Sequence, residues 1–130
     1  MKFLKFSMRK LLKSFGYAAR GICKVFCLEQ NFKVHTFLGA LALLLGWLFH
    51  LSPVEWCLVL LVIALVLTME MLNTAIEKLC DFMEPNPNEH IKIIKDICAG
   101  MVLCSAVFAL VIGIIIYFPK GILFLIHLRS

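Results

Sequence analysis

Apolar and polar positions divide this chain into one amphipathic stretch and three long apolar stretches. In residues 2–30 the apolar side chains recur every three to four positions, and lysines and arginines occupy the other side of the implied helix. Each apolar stretch is long enough to cross a bilayer core of about 30 Å at about 1.5 Å per residue. The apolar stretches are approximately residues 33–51, 54–80 and 95–118, followed by a tail at 119–130. The pattern predicts one all-α integral membrane domain over 1–130, with three transmembrane helices and an N-terminal amphipathic surface helix over 1–30.

Small residues recur at helical spacing in two of the predicted crossings. Such residues let a neighbouring helix approach closely inside a membrane, so they predict two packing faces. The first set is Gly39, Ala42 and Gly46, and the second is Ser105, Ala109 and Gly113.

Composition excludes a soluble globular protein. Hydrophobic residues make up 62% of the 130 positions and the mean hydropathy is +0.97, whereas soluble domains are about half apolar. The six cysteines have no paired metal-site spacing, which predicts small buried helix residues without disulfides. No cleavable secretory signal is predicted, because the first strongly apolar segment follows about thirty basic, amphipathic residues.

The distribution of basic residues predicts the orientation of the crossings. Of the 13 lysines and arginines, eight precede the first crossing, three lie in the loop after the second and two lie in the tail. Cytoplasmic loops are enriched in these residues, so the N-terminus and the loop at 77–96 are predicted to face the cytoplasm and the C-terminus the outside. The basic side of the surface helix is predicted to lie among anionic lipid headgroups.

Two carboxylates on the second crossing suggest a functional site. Glu70 and Glu77 are two helical turns and about 10 Å apart on one face, which Asn73 and Thr74 share. Glu77 alone can be an ordinary charge at a helix end. Glu70 is flanked by apolar residues, and an acid inside a membrane costs at least a few kcal/mol, so it is predicted to have a partner or a catalytic role.

The predicted topology brings further polar residues to the same cytoplasmic boundary. Glu29 precedes the first crossing, and Lys95 with Asp96 opens the third. Carboxylate oxygens suit magnesium, which often carries a nucleotide phosphate. Glu70 can then take a proton from a lipid hydroxyl while Glu29 and Glu77 hold the metal and Lys95 meets phosphate charge. The chain contains none of the established nucleotide-binding or soluble protein-kinase motifs.

Three segments resemble the small prokaryotic diacylglycerol kinase family. Glu70 to Glu77, followed by Asp81, resembles its E-x-x-N-[ST]-A-I-E-x-x-x-D motif, and Lys95 to Ala99 resembles its K-D-x-x-[AS] motif. The N-terminal segment is also similar to the family, through Gly16-Tyr17 to Gly21 and Glu29-x-Asn31-Phe32. The match covers about residues 10 to 118.

The resemblance implies a homotrimer in the bacterial cell membrane, with active sites built between subunits, that transfers the γ-phosphate of ATP to a lipid alcohol with magnesium as cofactor. It implies that Glu70 is the general base and that Glu29 and Glu77 are the metal ligands. The implied nucleotide contacts are Tyr17, Glu29, Glu77, Asn88, Lys95 and Asp96, and the implied lipid contacts are Lys10, Glu70, Asn73 and Ala99.

Four positions depart from the pattern of the family. Lys10 stands where the Gram-negative branch has an arginine and His35 where that branch has an acid. Asn88 stands in place of the family's usual loop histidine, and Ile94 in place of a smaller residue. The spacing Glu-x-Asn-Phe-x-x-His resembles the Gram-positive branch, whose substrate is undecaprenol. The resemblance therefore favours undecaprenol as substrate, with diacylglycerol as the alternative.

Two functions of other classes remain open from the residues alone. A small proton-coupled transporter also uses an intramembrane acid, but it needs that acid near the middle of the membrane and has no need of Glu29, Lys95 or Asp96. A structural or pore-forming protein fits the size and the basic terminus but gives Glu70 no role.

Overall fold

Four helices make up the regular secondary structure of residues 7–127, the part of the chain that this computed structural model describes. They are α1 (Met8–Leu28), α2 (Gln30–Leu48), α3 (Pro53–Met83) and α4 (Glu89–His127). The last three are each long and apolar enough to cross a membrane. The prediction of an all-α protein with three candidate crossings is confirmed. The first six residues of the predicted surface helix lie outside the described part.

Helix α4 is longer than the third apolar stretch at both ends. It begins six residues earlier, since the Asn88 side-chain Oδ1 accepts hydrogen bonds from the backbone N–H groups of His90 (2.9 Å) and Ile91 (3.3 Å). It also continues through Pro119 to His127. Transmembrane helices tolerate a proline that would break a soluble helix. The predicted tail is therefore helical over residues 119–127.

The turn between α2 and α3 is fixed by local hydrogen bonds. His50 has a positive φ of 51°, a conformation that histidine tolerates better than most residues. Ser52 then caps α3 reciprocally with Glu55: the Ser52 N–H donates to Glu55 Oε2 (2.6 Å) and the Glu55 N–H donates to Ser52 Oγ (3.4 Å). Pro53 occupies the first turn, where its missing N–H costs nothing. These bonds make α2 and α3 antiparallel neighbours.

The first predicted packing face is confirmed. Gly39 and Gly46 are both buried on α2. A Cβ on Gly39 would lie 3.1 Å from Ile63 Cγ2, and one on Gly46 would lie 3.0 Å from Trp56 Cη2, so both neighbours belong to α3. The Tyr117 hydroxyl of α4 also donates to the Ala42 carbonyl of α2 (2.7 Å). All three crossings therefore meet closely near the α2–α3 turn.

The second predicted face behaves differently. Ser105 is buried and donates to the Val102 carbonyl within α4 (2.7 Å). In contrast, a Cβ on Gly113 would meet no atom within 4 Å among the described residues. Ala109 and Gly113 instead line a cavity between the crossings. The small residues of α4 therefore leave space beside α2 and α3.

Gly46→Leu is expected to destabilise the fold by about 1–3 kcal/mol, because the larger side chain would overlap Trp56, Leu51 and the Tyr117 hydroxyl. Thermal unfolding in detergent micelles, followed by circular dichroism, measures the loss. Gly121→Leu is the matched control, since a Cβ there meets nothing within 4 Å in the described part of the chain. An equal decrease in Tm for both variants would contradict the packing explanation.

Candidate active site

Glu70 lies near the cytoplasmic end predicted for α3 and is almost completely buried, with 3% of its surface exposed. The Thr74 hydroxyl, also buried, donates to the Glu70 backbone carbonyl (3.0 Å) and faces the same side of the helix. The Glu70 Oε1 atom accepts no hydrogen bond from the described residues. A buried carboxylate oxygen without a donor is costly, so this atom is available to a group outside the described contacts.

Asn73 and Glu77 form the exposed side of the same polar face. Asn73 Nδ2 donates to Glu77 Oε1 (3.1 Å), and both side chains are half-buried. Asn73 Oδ1 is itself a buried acceptor that lacks a hydrogen-bond partner among the described residues. The face therefore presents two unused acceptors, one on Glu70 and one on Asn73. Both acceptors are buried, so a donor reaches either one only when the surrounding side chains move.

Glu29 connects the surface helix to the first crossing. Its extended backbone (φ −102°, ψ 120°) lies between the last residue of α1 and the first residue of α2. Its side chain is half-buried. The charges of Glu29 and Glu77 both act electrostatically on Glu70, which puts the three predicted acids in one region. The sequence predicts that the three acids lie at one membrane boundary. In the structure Glu29 and Glu77 are near enough to Glu70 for their charges to act on it.

The donor chemistry of these acids fits magnesium bound with a nucleotide. Among residues 7–127 no group of three or more His, Cys, Asp or Glu side chains is close enough to hold a metal ion alone. Magnesium, however, usually takes one or two carboxylates and completes its shell with water and substrate phosphates. Glu29 and Glu77 can supply that number of carboxylates.

Lys95 pairs with a different acid from the one beside it in sequence. Its Nζ lies 2.5 Å from Asp81 Oδ1, which joins the beginning of α4 to the end of α3. Asp96, the next residue, is exposed. The sequence motif includes Asp81 but gives it no role. The opposite charges on either side of the short loop between α3 and α4 are the sequence feature that could have predicted this ion pair.

The remaining predicted site residues have mainly local contacts. On α1, Tyr17 lies under the Arg20 guanidinium, 4.8 Å from the ring centroid, and the Lys10 carbonyl accepts a hydrogen bond from the Ser14 hydroxyl. Asn88 uses its side-chain oxygen to cap α4. Ala99 is exposed on α4, one turn beyond Lys95. The described contacts do not connect these four residues to Glu70.

Sequence reasoning gave His35 no place in the site. Its Nε2 lies 3.4 Å from Glu70 Oε1, although the geometry is not that of a hydrogen bond. His35 also lines the cavity between α2, α3 and α4, which has a volume of about 470 Å³. Apart from His35 and Tyr117, all the lining residues are apolar. The imidazole that contacts the Glu70 carboxylate therefore also lines a cavity suited to hydrocarbon.

Comparisons with known proteins connect this geometry to a family. The family model for prokaryotic diacylglycerol kinase matches residues 16–117. A Bacillus subtilis protein named undecaprenol kinase is 36% identical over 113 residues, which cover 87% of this chain and 92% of that protein. A Synechocystis protein named diacylglycerol kinase is 38% identical over 104 residues, which cover 79% of this chain but only 59% of that protein.

Proposed function

We propose that this chain, which belongs to the prokaryotic diacylglycerol kinase family, phosphorylates undecaprenol at the expense of ATP. The family makes the chain a lipid kinase and a multi-pass membrane protein. The observation that carries the reaction is the buried Glu70 carboxylate, which lies 3.4 Å from His35, a residue that lines the apolar cavity. Undecaprenol is favoured because the Bacillus subtilis relative covers most of both chains. Diacylglycerol is the second candidate, favoured by the Synechocystis relative.

In the proposed reaction Glu70 acts as general base. Its carboxylate accepts the proton of the lipid hydroxyl, and the resulting oxygen forms a bond to the γ-phosphorus of ATP. The bond from that phosphorus to the β,γ-bridging oxygen breaks, and ADP leaves with the electron pair. The products are ADP and a lipid monophosphate. A carboxylate held in a fixed position at the water–lipid boundary makes this proton transfer efficient.

Glu29 and Glu77 are the proposed ligands of magnesium. When bound, the metal offsets the negative charge of the phosphates. The Asn73 hydrogen bond to Glu77 orients that carboxylate. Tyr17, Asn88, Lys95 and Asp96 are proposed to contact the nucleotide. Lys10 and Ala99 are proposed to contact the lipid together with Glu70 and Asn73.

Orientation and assembly are also part of the proposal. The excess of basic residues up to the start of α2, together with Lys78, Lys92 and Lys95 on either side of the α3–α4 loop, supports an active site on the cytoplasmic side of the bacterial cell membrane, with the C-terminus outside. We further propose a homotrimer, the assembly that the family resemblance implies. Light scattering with size exclusion in detergent measures the oligomeric state, and a monomeric active enzyme would refute the trimer.

The purified protein, supplied with γ-labelled ATP, magnesium and either undecaprenol or diacylglycerol in mixed micelles, tests the function directly. Labelled undecaprenyl phosphate is expected, with a higher kcat/KM than for diacylglycerol. A higher kcat/KM for diacylglycerol would identify diacylglycerol, the second candidate, as the substrate. Absence of label in both lipids, from protein that still binds ATP, would refute the kinase proposal and favour a transporter.

Lys95→Ala is expected to raise the KM for ATP about 10-fold or more, because a hydrogen bond from a charged group to phosphate contributes about 1.5–3 kcal/mol. Asp81→Asn removes the partner of Lys95 but leaves its charge available. Since exposed ion pairs contribute about 0–1 kcal/mol, this control is expected to change the KM less than about 5-fold. Equal effects of the two variants would show that Lys95 acts only through its ion pair.

A further inference from the structure

We propose that His35 is a positioning residue for Glu70: its Nε2 donates a hydrogen bond to Glu70 Oε1 and so directs the other carboxylate oxygen toward the lipid hydroxyl. This inference deepens the proposed kinase function and rests on it.

The first support is the location of the two side chains. His35 lies on α2 and Glu70 on α3, and their atoms approach to 3.4 Å although 35 residues separate them in sequence. Glu70 is buried and His35 is 24% exposed, so the imidazole is the more accessible side chain of the two. Polar side chains inside a membrane pair with one another, and each is the nearest ion-pairing partner described for the other.

The second support is the unsatisfied oxygen. Oε1 is the Glu70 atom that faces His35, and it is also the atom left without a hydrogen bond in the described contacts. The separation exceeds an ordinary N–H···O distance by only a few tenths of an ångström. A small rotation of the imidazole would therefore satisfy the buried acceptor. Hydrogen bonds of a catalytic site are often long before substrate binds and shorten in the complex.

The third support is the cavity. His35 contributes to the lining of the apolar cavity and also contacts Glu70. A lipid whose hydrocarbon enters this cavity would carry its hydroxyl past the imidazole before reaching the carboxylate. A carboxylate has two oxygens, and a hydrogen bond to one of them fixes the direction in which the other points. Holding Oε1 leaves Oε2 to accept the hydroxyl proton.

Substitutions with side chains of different length test this role. Gln places its amide nitrogen near the position of His Nε2, whereas Asn reaches only about as far as Nδ1. We expect His35→Ala and His35→Asn to lower kcat on the order of 10- to 100-fold with the KM for ATP changed less than about 2-fold. His35→Gln is expected to recover most of kcat. His50→Asn is the matched control, because His50 lies in the turn at the other end of α2 and asparagine also tolerates its positive φ.

A double-mutant cycle separates positioning from general structure. Glu70→Asp shortens the side chain and moves the carboxylate away from the imidazole. In the Glu70→Asp background, His35→Ala should therefore lower kcat further by less than about 3-fold. Full additivity of the two losses would overturn the proposal, as would unchanged kcat in His35→Ala or equal activity of the Gln and Asn variants. The Gln and Asn comparison remains decisive if the Ala variant unfolds, since both amides are polar and nearly of histidine size.

An independent measurement distinguishes this inference from the proposed function. In ¹⁵N-histidine-labelled protein, Glu70→Gln is expected to shift the ring nitrogen resonance of His35 and to leave that of His50 unchanged. No shift, in a chain whose wild type phosphorylates lipid, would overturn the His35 inference alone. A clear shift in a chain that transfers no phosphate to either lipid would overturn the kinase function alone.

Discussion

Glu70→Gln lowers the kcat for lipid phosphorylation by about 10²–10⁴-fold, the range that a general base contributes, and leaves the dissociation constant of magnesium–ATP nearly unchanged. Gln has the shape of Glu but cannot accept the hydroxyl proton. It also retains a polar group for the buried position, where only 3% of the Glu70 surface is exposed. Initial rates of label transfer measure kcat, and isothermal titration measures nucleotide binding.

The control for Glu70→Gln removes a carboxylate that lies outside the candidate active site. Glu89→Gln changes an exposed carboxylate in the first turn of α4, where the expected loss is a few tenths of a kcal/mol of stability. Its kcat should match that of the wild type. A Glu70→Gln enzyme that retains more than a tenth of wild-type kcat would contradict the assignment of Glu70 as base.

Glu77→Gln is expected to lower kcat/KM for magnesium–ATP by about 10- to 100-fold, since losing a charge-assisted contact costs about 1.5–3 kcal/mol. The amide keeps an oxygen for the metal but loses the negative charge that makes it a strong ligand. It also changes the hydrogen bond that Asn73 Nδ2 donates to Glu77 Oε1. Rates measured over a range of magnesium concentrations report the loss.

The magnesium dependence identifies the cause of that loss. If Glu77 holds the metal, added magnesium should recover part of the activity of Glu77→Gln, while it should recover none of the activity of Glu70→Gln. Asn73→Ala serves as the matched control because it removes the hydrogen bond and keeps the Glu77 charge. Loss of activity in Asn73→Ala as large as in Glu77→Gln, with no response of either variant to magnesium, would contradict a metal role for Glu77.

Local periodicity predicted much of this molecule. The 3.6-residue repeat places Glu70, Thr74 and Glu77 on one side of a helix wherever that helix packs, and the structure buries Glu70 and Thr74 together. Length and hydropathy likewise predicted three crossings. Small residues predicted the close contact of α2 with α3, because the absence of a side chain is itself the packing feature.

Contacts between helices were beyond the reach of that reasoning. The approach of His35 to Glu70, the pairing of Lys95 with Asp81 and the Tyr117 hydrogen bond to Ala42 each depend on how two helices rotate and slide against one another. Periodicity along a single helix contains no information about that register. The motif that contains Lys95 and Asp96 does not show which acid Lys95 pairs with, because neighbouring residues on a helix point in different directions.

Two contacts join the crossings at the end of the bundle that carries the α2–α3 turn. Lys120 of α4 forms an ion pair with Glu55 of α3 at 3.2 Å, and the Tyr117 hydroxyl binds the Ala42 carbonyl of α2. These two contacts connect all three crossings at this end, so their relative positions there do not depend on the short α2–α3 turn alone. A substitution in that turn should therefore loosen the connection between α2 and α3 without separating either helix from α4.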